Sequence, residues 1–422
     1  MTDPIDVTQD LINEWADRPD GPVALHLKEK LAPVEEGDHP VIFPPTYADI
    51  GYNIDILADG TKVATIDSVG SQANRIEPIF KSVKRSDEDG KEEETNPLAA
   101  LVPQVEIEIT IKHKGDEDYV AKRSLLDLAH RSADATVYSC PTLGPAMREA
   151  FKALNTLNDA GPLCRIAPTS LLFGVWDSRG ETGEKRPRII RSIIRAWDID
   201  VLHAAAQFTS IRKTLGEDTL SELEKCAKEK KRKLSDVGLD DAPAIFRRLK
   251  GNAAKEVPEY RNGLPNPDRR ILGGVIVRGP VERDVTVNLS ALRRLEGGSR
   301  KESEPLRRYL LSLALIAATA DLDLYLREGC HLRVAGDERW GVIPRRGDRL
   351  MVDLASKKAL STTKEYAKEE WRKFKEEFEK ARGGRFGGDW ASRLEKEPHK
   401  FDVSAAKKLI AAAEAEDSTG GD

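Results

Sequence analysis

Apolar and polar residues alternate through residues 105–112, "VEIEITIK", the period of a strand with one buried face. The stretches "VALHLKEKLAPV" from Val23, "VIFPPTYADI" and "YNIDILADGTKVATIDSV" are also strand-like. The pattern changes at residues 67–77, "DSVGSQANRIE". Beyond it, Ile76, Ile79, Phe80 and Val83 recur at the spacing of one buried helix face, so the stretch reads as a turn opening a helix. Ser68 or Ser71 is the expected N-cap, its side-chain oxygen taking an orphan backbone N–H. A second helix follows Pro145, with Met147, Phe151 and Leu154 on one side. Residues 169–179, "TSLLFGVWDSR", form a continuous apolar run and predict a strand buried on both faces. Another strand is expected over 189–202, a helix over 219–234, strand over 273–292, and a helix from 305 to 328. "HLRVAGDERWGVIP" reads as a short hairpin, and 363–382 as a highly charged helix. Residues 84–97 and the tail from Glu414 carry no apolar face and read as loop and disorder.

Strands and helices follow one another without regular βα alternation, which favours an α+β fold with antiparallel sheets. The punctuation fits a ferredoxin-like βαββαβ core interrupted by long insertions.

Composition narrows the function classes. The chain has 422 residues, 39% hydrophobic and 33% charged, with a formal net charge of −5. An acidic total argues against a general nucleic-acid coat but leaves room for a local basic groove, because binding follows charge distribution rather than the sum. The four cysteines, Cys140, Cys164, Cys226 and Cys330, form no CxxC pair and read as buried thiols of a reducing, cytoplasmic setting. The start, "MTDPIDVTQDLINEWADRPD", lacks a signal peptide's basic and apolar segments. The apolar run over 309–325 contains Asp321 and Asp323 and is short for a bilayer, so it predicts a core helix and no membrane association. Walker, GxSxG and HExxH signatures are absent from the sequence. No metal or other cofactor is expected.

Three islands carry candidate chemistry. The first is Ser71, Gln72, Asn74 and Arg75, where a helix start with an arginine suits a phosphate; plain capping with an Arg75 ion pair is the structural alternative. The second is "LAHRSADA", 128–135: His130 and Asp134, four apart, suit a general base or half a metal site, while Arg131 and His130 suit a phosphate and a base. A structural His–Asp bond competes with both. The third is "WDSRGETGEKRPRIIRSIIR", 176–195, where Arg179, Lys185, Arg186, Arg188, Arg191 and Arg195 outnumber Glu181 and Glu184. Arginines beside a glycine loop suit phosphate tracking, because each guanidinium fork binds two oxygens; a solvated charged face is the plainer account. The basic run at 225–233 is less specific.

"SQANRIE", "AHRSADA" and "PTSLLFGVWDSR…RPRIIRSII", in that order and spacing, resemble the backbone subunit of type I-U (also called I-G) CRISPR effector complexes, of the RAMP superfamily of RNA-binding proteins. The similarity spans roughly residues 20 to 355 and includes "GGVIVRGPVERDVTVNLSALRRL". The resemblance implies an RRM-like palm with inserted finger and thumb segments over 21–355. Outside it, the residues themselves read as an N-terminal arm at 1–20 and a charged C-terminal helix with a disordered acidic tail over 356–422. It further implies a non-catalytic subunit that polymerises along one guide RNA, leaving its bases free to pair with target DNA, beside other effector subunits. Carried over by motif, Gln72, Asn74, Arg75, His130, Arg131, Ser178 and Arg179 are guide contacts, with Lys185, Arg186 and Arg188 supported by charge. A metal-dependent RNA endonuclease using Asp134 or Asp177 is the competing expectation, and a structural adaptor without nucleic-acid contact a third.

Overall fold

Leu25, Leu27, Glu29 and Leu31 are buried while Lys28 and Lys30 are exposed, and in the computed structural model this period of two is a strand, β1 (Ala24–Pro33), with one covered face. The structure describes residues 4–35, 37–47, 51–86, 91–112, 118–180, 182–204, 214–232, 234, 239, 260–261, 264–265, 271–336, 338–382, 386–388 and 390–419. Glu181, Lys233 and residues 87–90 of the charged loop lie outside the described residues.

β1 pairs with three further strands, β2 (Ile190–Trp197), β3 (Val281–Asn288) and β4 (Trp340–Ile343), in the spatial order β4–β1–β3–β2. All three joints are antiparallel, with Leu25 and Ile190 both opposite Val287 and Ala24 opposite Ile343. The crossover from β1 to β2 runs through α1 (Leu143–Leu157), α2 (Gly161–Ile166) and α3 (Pro168–Phe173); that from β3 to β4 runs through α4 (Arg300–Ala318). This is the expected ferredoxin-like βαββαβ order. Leu25, Leu27, Val285 and Val287 of the sheet share one core with Phe151, Phe173, Leu306 and Leu310 of the helices.

The long connection between β1 and α1 adds Lys62–Asp67 as an antiparallel strand beyond β2, followed by the helix Val69–Ile76. It also supplies the antiparallel pair Glu106–Ile111 and Tyr119–Ser124, joined in parallel by the late segment His399–Lys400. Between β2 and β3 the chain extends as the paired strands Ile199–Ala204 and Ile271–Val277. A second core of Ile42, Ile66, Ile194, Ile199, Val275 and Cys330 closes that end.

Several expectations are corrected. Residues 168–173 are helical rather than extended: Pro168 sits in the first helical turn, and Gly174, at φ +79°, ends it. A short apolar run does not distinguish a core helix from a core strand. Helix α4 starts before Pro305, where Ser299 accepts from the Glu302 amide at 3.3 Å, and ends at Ala318 rather than near 328. Cys330–Val334 and β4 form no hairpin with each other. Both pair with β1, Val334 opposite Leu31 and Ile343 opposite Ala24, as collinear neighbours on one edge. The charged loop at 84–97 holds a two-stranded ribbon, Lys84–Ser86 with Glu92–Glu94. Cys226 is exposed, while Cys140, Cys164 and Cys330 are buried as expected.

The charged C-terminal helix, α5 (Lys357–Ala381), is packed into the main core. Tyr366, Trp371, Phe374 and Phe378 form its buried stripe, and Trp371 stacks on Tyr309 of α4 with ring centroids 4.7 Å apart. The N-terminal helix Gln9–Asp17, capped by Thr8, buries Ile12, Trp15 and Ala16. The helix Val403–Thr419 continues past Glu414, where disorder was expected. No helix among the described residues is long and apolar enough to cross a membrane.

Candidate nucleic-acid interface

The first island is built around a buried carboxylate. Asp67 ends its strand at 1% exposure. Its Oδ2 accepts from Gln72 Nε2 at 2.6 Å and Arg75 Nε at 3.1 Å, and Arg327 approaches Oδ1 at 3.5 Å. Gln72 accepts in turn from the Ser192 hydroxyl of β2 at 2.7 Å, and Arg75 also donates to the Leu326 carbonyl at 2.7 Å. The expectation that Gln72 meets a ligand is therefore corrected. Its amide spends both ends inside the protein, because a buried carboxylate needs donors more than solvent does. Arg75 takes the ion pair that the structural alternative foresaw. Ser68 is the N-cap, accepting from the Ser71 amide at 3.3 Å, so the helix start is closed by its own side chain. Asn74 alone of this island is exposed and faces the second island.

There the backbone does something unusual. Arg131 adopts φ +53°, a left-handed conformation that non-glycine residues seldom take. The twist sends neighbouring side chains opposite ways: His130 is 58% exposed, whereas the Arg131 side chain is 7% exposed. The Arg131 Nε lies 2.6 Å from Glu77, Nη2 donates to Asn74 Oδ1 at 3.2 Å, and Nη1 to the Gly174 carbonyl at 3.4 Å. The guanidinium also rides over the Phe173 ring, 5.4 Å from its centroid. Burial pushes the Glu77 carboxyl up to about 7, against the pull of Arg131 and a Thr169 hydrogen bond. The direct phosphate role expected for Arg131 is thus replaced by a joining role: its charge is opposed by Glu77, and its fork ties the first two islands to Gly174, just ahead of the third.

The third island forms one wall of a cleft of about 400 Å³ whose floor is Ala129–Arg131 and Gly174. Trp176 and Lys185 face each other across a two-residue ladder, and the ammonium lies 5.4 Å from the indole centroid. Trp176 is 58% exposed. Ser178, Arg179, Lys185, Arg186 and Arg188 line the same cleft with His130. Arg186 is tied down, paired with Glu184 at 2.7 Å and donating to the Leu154 carbonyl at 3.1 Å. Arg179 and Arg188 have no acidic partner among the described residues. Partial burial first, and then the nearby charges of Arg131 and Arg191, draw the Arg188 guanidinium below its ordinary range.

The two aspartates weighed for metal chemistry do structural work. Asp177 is fully buried and accepts from the Tyr138 hydroxyl and from Thr182 Oγ1, the latter at 2.8 Å. Its own amide donates to the Glu184 carbonyl at 2.8 Å, closing the 178–184 loop. A Cβ on Gly180 would stand 2.1 Å from its Oδ2, so only glycine fits there. Asp134 caps the turn Ala135–Tyr138, accepting from the Thr136 amide at 2.9 Å. Burial pushes its carboxyl up, but bonds from Thr136 and from His130, 3.3 Å away, hold it below the usual range. Among the described residues no three His, Cys, Asp or Glu side chains gather as a metal site.

The structure thus brings His130, Arg131, Ser178, Arg179, Lys185, Arg186 and Arg188 to one cleft, with Asn74 bonded to Arg131 but not lining it, and engages Gln72 and Arg75 elsewhere. The sequence reading passed over Trp176, because it stands at the end of the apolar run 169–179 and was counted with the core; its place beside Asp-Ser-Arg-Gly was the available signal. It also passed over Gly174, whose carbonyl holds Arg131. No curated protein compared with the chain matches it. Residues 25–201, which run from β1 through β2 and contain the whole cleft, match the family described as CRISPR-associated protein GSU0053, and this supports a role in a CRISPR system.

Proposed function

We propose that this protein is a guide-RNA-binding backbone subunit of a type I-U (I-G) CRISPR effector complex. Copies of the chain line up along one guide, beside other effector subunits, and leave the bases free to pair with target DNA. One observation carries the reading. The second and third islands, dozens of residues apart in the chain, line a single cleft in which Arg179 and Arg188 keep uncancelled charge beside an exposed indole. Such a cleft suits a single strand held without regard to sequence: guanidiniums take phosphates, and Trp176 offers a flat face to any base. The net charge of −5 is compatible, because the acidic groups nearest the cleft, Glu77, Asp134, Asp177 and Glu184, are engaged by protein donors.

The test is the salt dependence of oligouridylate binding by the full chain. Arg188→Ala is expected to flatten the slope by roughly 0.7, the share of one phosphate on a single strand. Trp176→Ala is expected to weaken binding by about 1–3 kcal/mol with the slope unchanged. An affinity indifferent to salt, or to both substitutions, overturns the reading.

A further inference from the structure

A second arginine cluster lies at the same end of the palm sheet. Ala24, Asn288 and Ile343 are aligned in adjacent strands, so the segments just beyond them meet. A cleft of about 420 Å³ opens there, lined by Arg293, Arg294, Arg307 and Arg345 with Asp17 and Ser290. Arg293 donates to the carbonyls of Trp15 and Pro22, at 2.8 and 2.7 Å, and Arg345 to that of Pro19 at 2.6 Å. Carbonyls satisfy N–H groups but leave the cationic charge standing. The one lining carboxylate, Asp17, is divided between Arg307 at 3.1 Å and Arg308 at 2.6 Å. Arg294 is exposed and its side chain has no partner among the described residues. Partial burial and the closeness of Arg345 draw the Arg293 guanidinium below its ordinary range. Asp20 lies near Arg293 and Arg345 but is bonded to Arg18, so the arginines still outnumber the carboxylates and the cleft is poised for an anion.

The first cleft sits at this same end, since Arg188 lies two residues before Ile190, the first residue of β2, which is opposite Val287. From β2 to β4 is three strand spacings, about 14 Å, a distance a few nucleotides cover. We propose that the second cleft is a further phosphate site, which takes the backbone of the RNA strand held in the first. The inference rests on the nucleic-acid reading of that first cleft.

The experiment compares the full wild-type chain, Arg188→Ala, Arg294→Ala, and the double variant Arg294→Ala/Arg345→Ala. Each is titrated with labelled oligouridylates, one short enough to occupy a single cleft and one long enough to cross both. Arg294 makes no side-chain bond, so its single variant reports on binding without risk to folding. The expected result is a several-fold loss for the double variant on the long strand, with the salt slope lower by roughly 1.4, about 0.7 for each lost phosphate. Arg294→Ala alone loses about half of that. An unchanged double variant beside a weakened Arg188→Ala overturns the second site and leaves the first standing. Loss of self-association in sedimentation with RNA affinity intact also overturns it, and assigns the cleft to an acidic segment of another copy. Failure of the wild-type chain to bind either strand removes both readings.

Discussion

Arg131 is worth more to this protein as a brace than as a hand. Its left-handed backbone turns the side chain inward, where Glu77, Asn74 and the Gly174 carbonyl each take part of the guanidinium. At about pH 8, where Glu77 is ionised, Arg131→Ala strands a buried carboxylate and is expected to cost about 3–5 kcal/mol in urea unfolding. Glu77 carries its own signature. Its folded value of about 7 lies above the unfolded 4.5, so the folded chain binds the proton more tightly. The stability this contributes is complete below the unfolded value and is lost as pH rises through the folded one. Glu77→Gln stays neutral throughout. Relative to wild type, the variant should therefore gain between about pH 5 and about pH 8. A gap that is the same at both ends rules out the titration.

At the scale of elements, the 178–184 loop shows how a buried acid shapes an exposed cation. Asp177 is pinned by Tyr138 and Thr182, so it cannot yield to a side chain at position 180. Gly180→Ala must displace the loop that carries Ser178 and Arg179. The expected outcome is weaker oligouridylate binding with a change of about 1 kcal/mol or less in global stability, since the exposed Ser178–Arg179 segment can move away from the buried Asp177. Binding equal to wild type would show that the loop takes no part. The helix α3 teaches a related lesson. Its sequence is as apolar as a central strand, and its state was decided by Pro168 and Gly174 at its ends together with its place in the core.

For the whole molecule, α5 is the part most easily misjudged. It lies outside the 25–201 match and is rich in charge, yet its aromatic stripe closes the layer over α4. At its end, Arg382 pairs with Asp159, which precedes α2, and with Glu302 of α4, the latter at 2.7 Å. Both carboxylates are nearly fully buried, and burial raises that of Glu302 even though Arg382 opposes it. Arg382→Ala is therefore expected to cost about 3 kcal/mol or more in urea unfolding, because two carboxylates lose their counter-charge. A cost below about 1 kcal/mol would mean that the pair is solvated and that α5 is held by its aromatics alone.

What the sequence by itself determined was local. The alternation of β1, the Ser68 cap, the helix after Pro145 and the α+β class were legible because periodicity and capping depend on neighbours along the chain. The three polar islands were also visible there as composition, an excess of arginine and small polar residues where no apolar face required them. Which of those residues faces outward was not, since a glutamine or arginine looks the same whether it meets solvent or a buried carboxylate. Asp67 claimed Gln72 and Arg75 from a few residues away, but what buries that cluster is distant, Ser192 on Gln72 and the Leu326 carbonyl on Arg75, and Glu77 claimed Arg131 from another segment of the chain. The same holds for the β4–β1–β3–β2 order, for the collinear pairing of Cys330–Val334 and β4 along β1, and for the meeting of four arginines beside Asp17. These depend on hydrogen bonds and charges between residues hundreds of positions apart, and tertiary packing alone decides them.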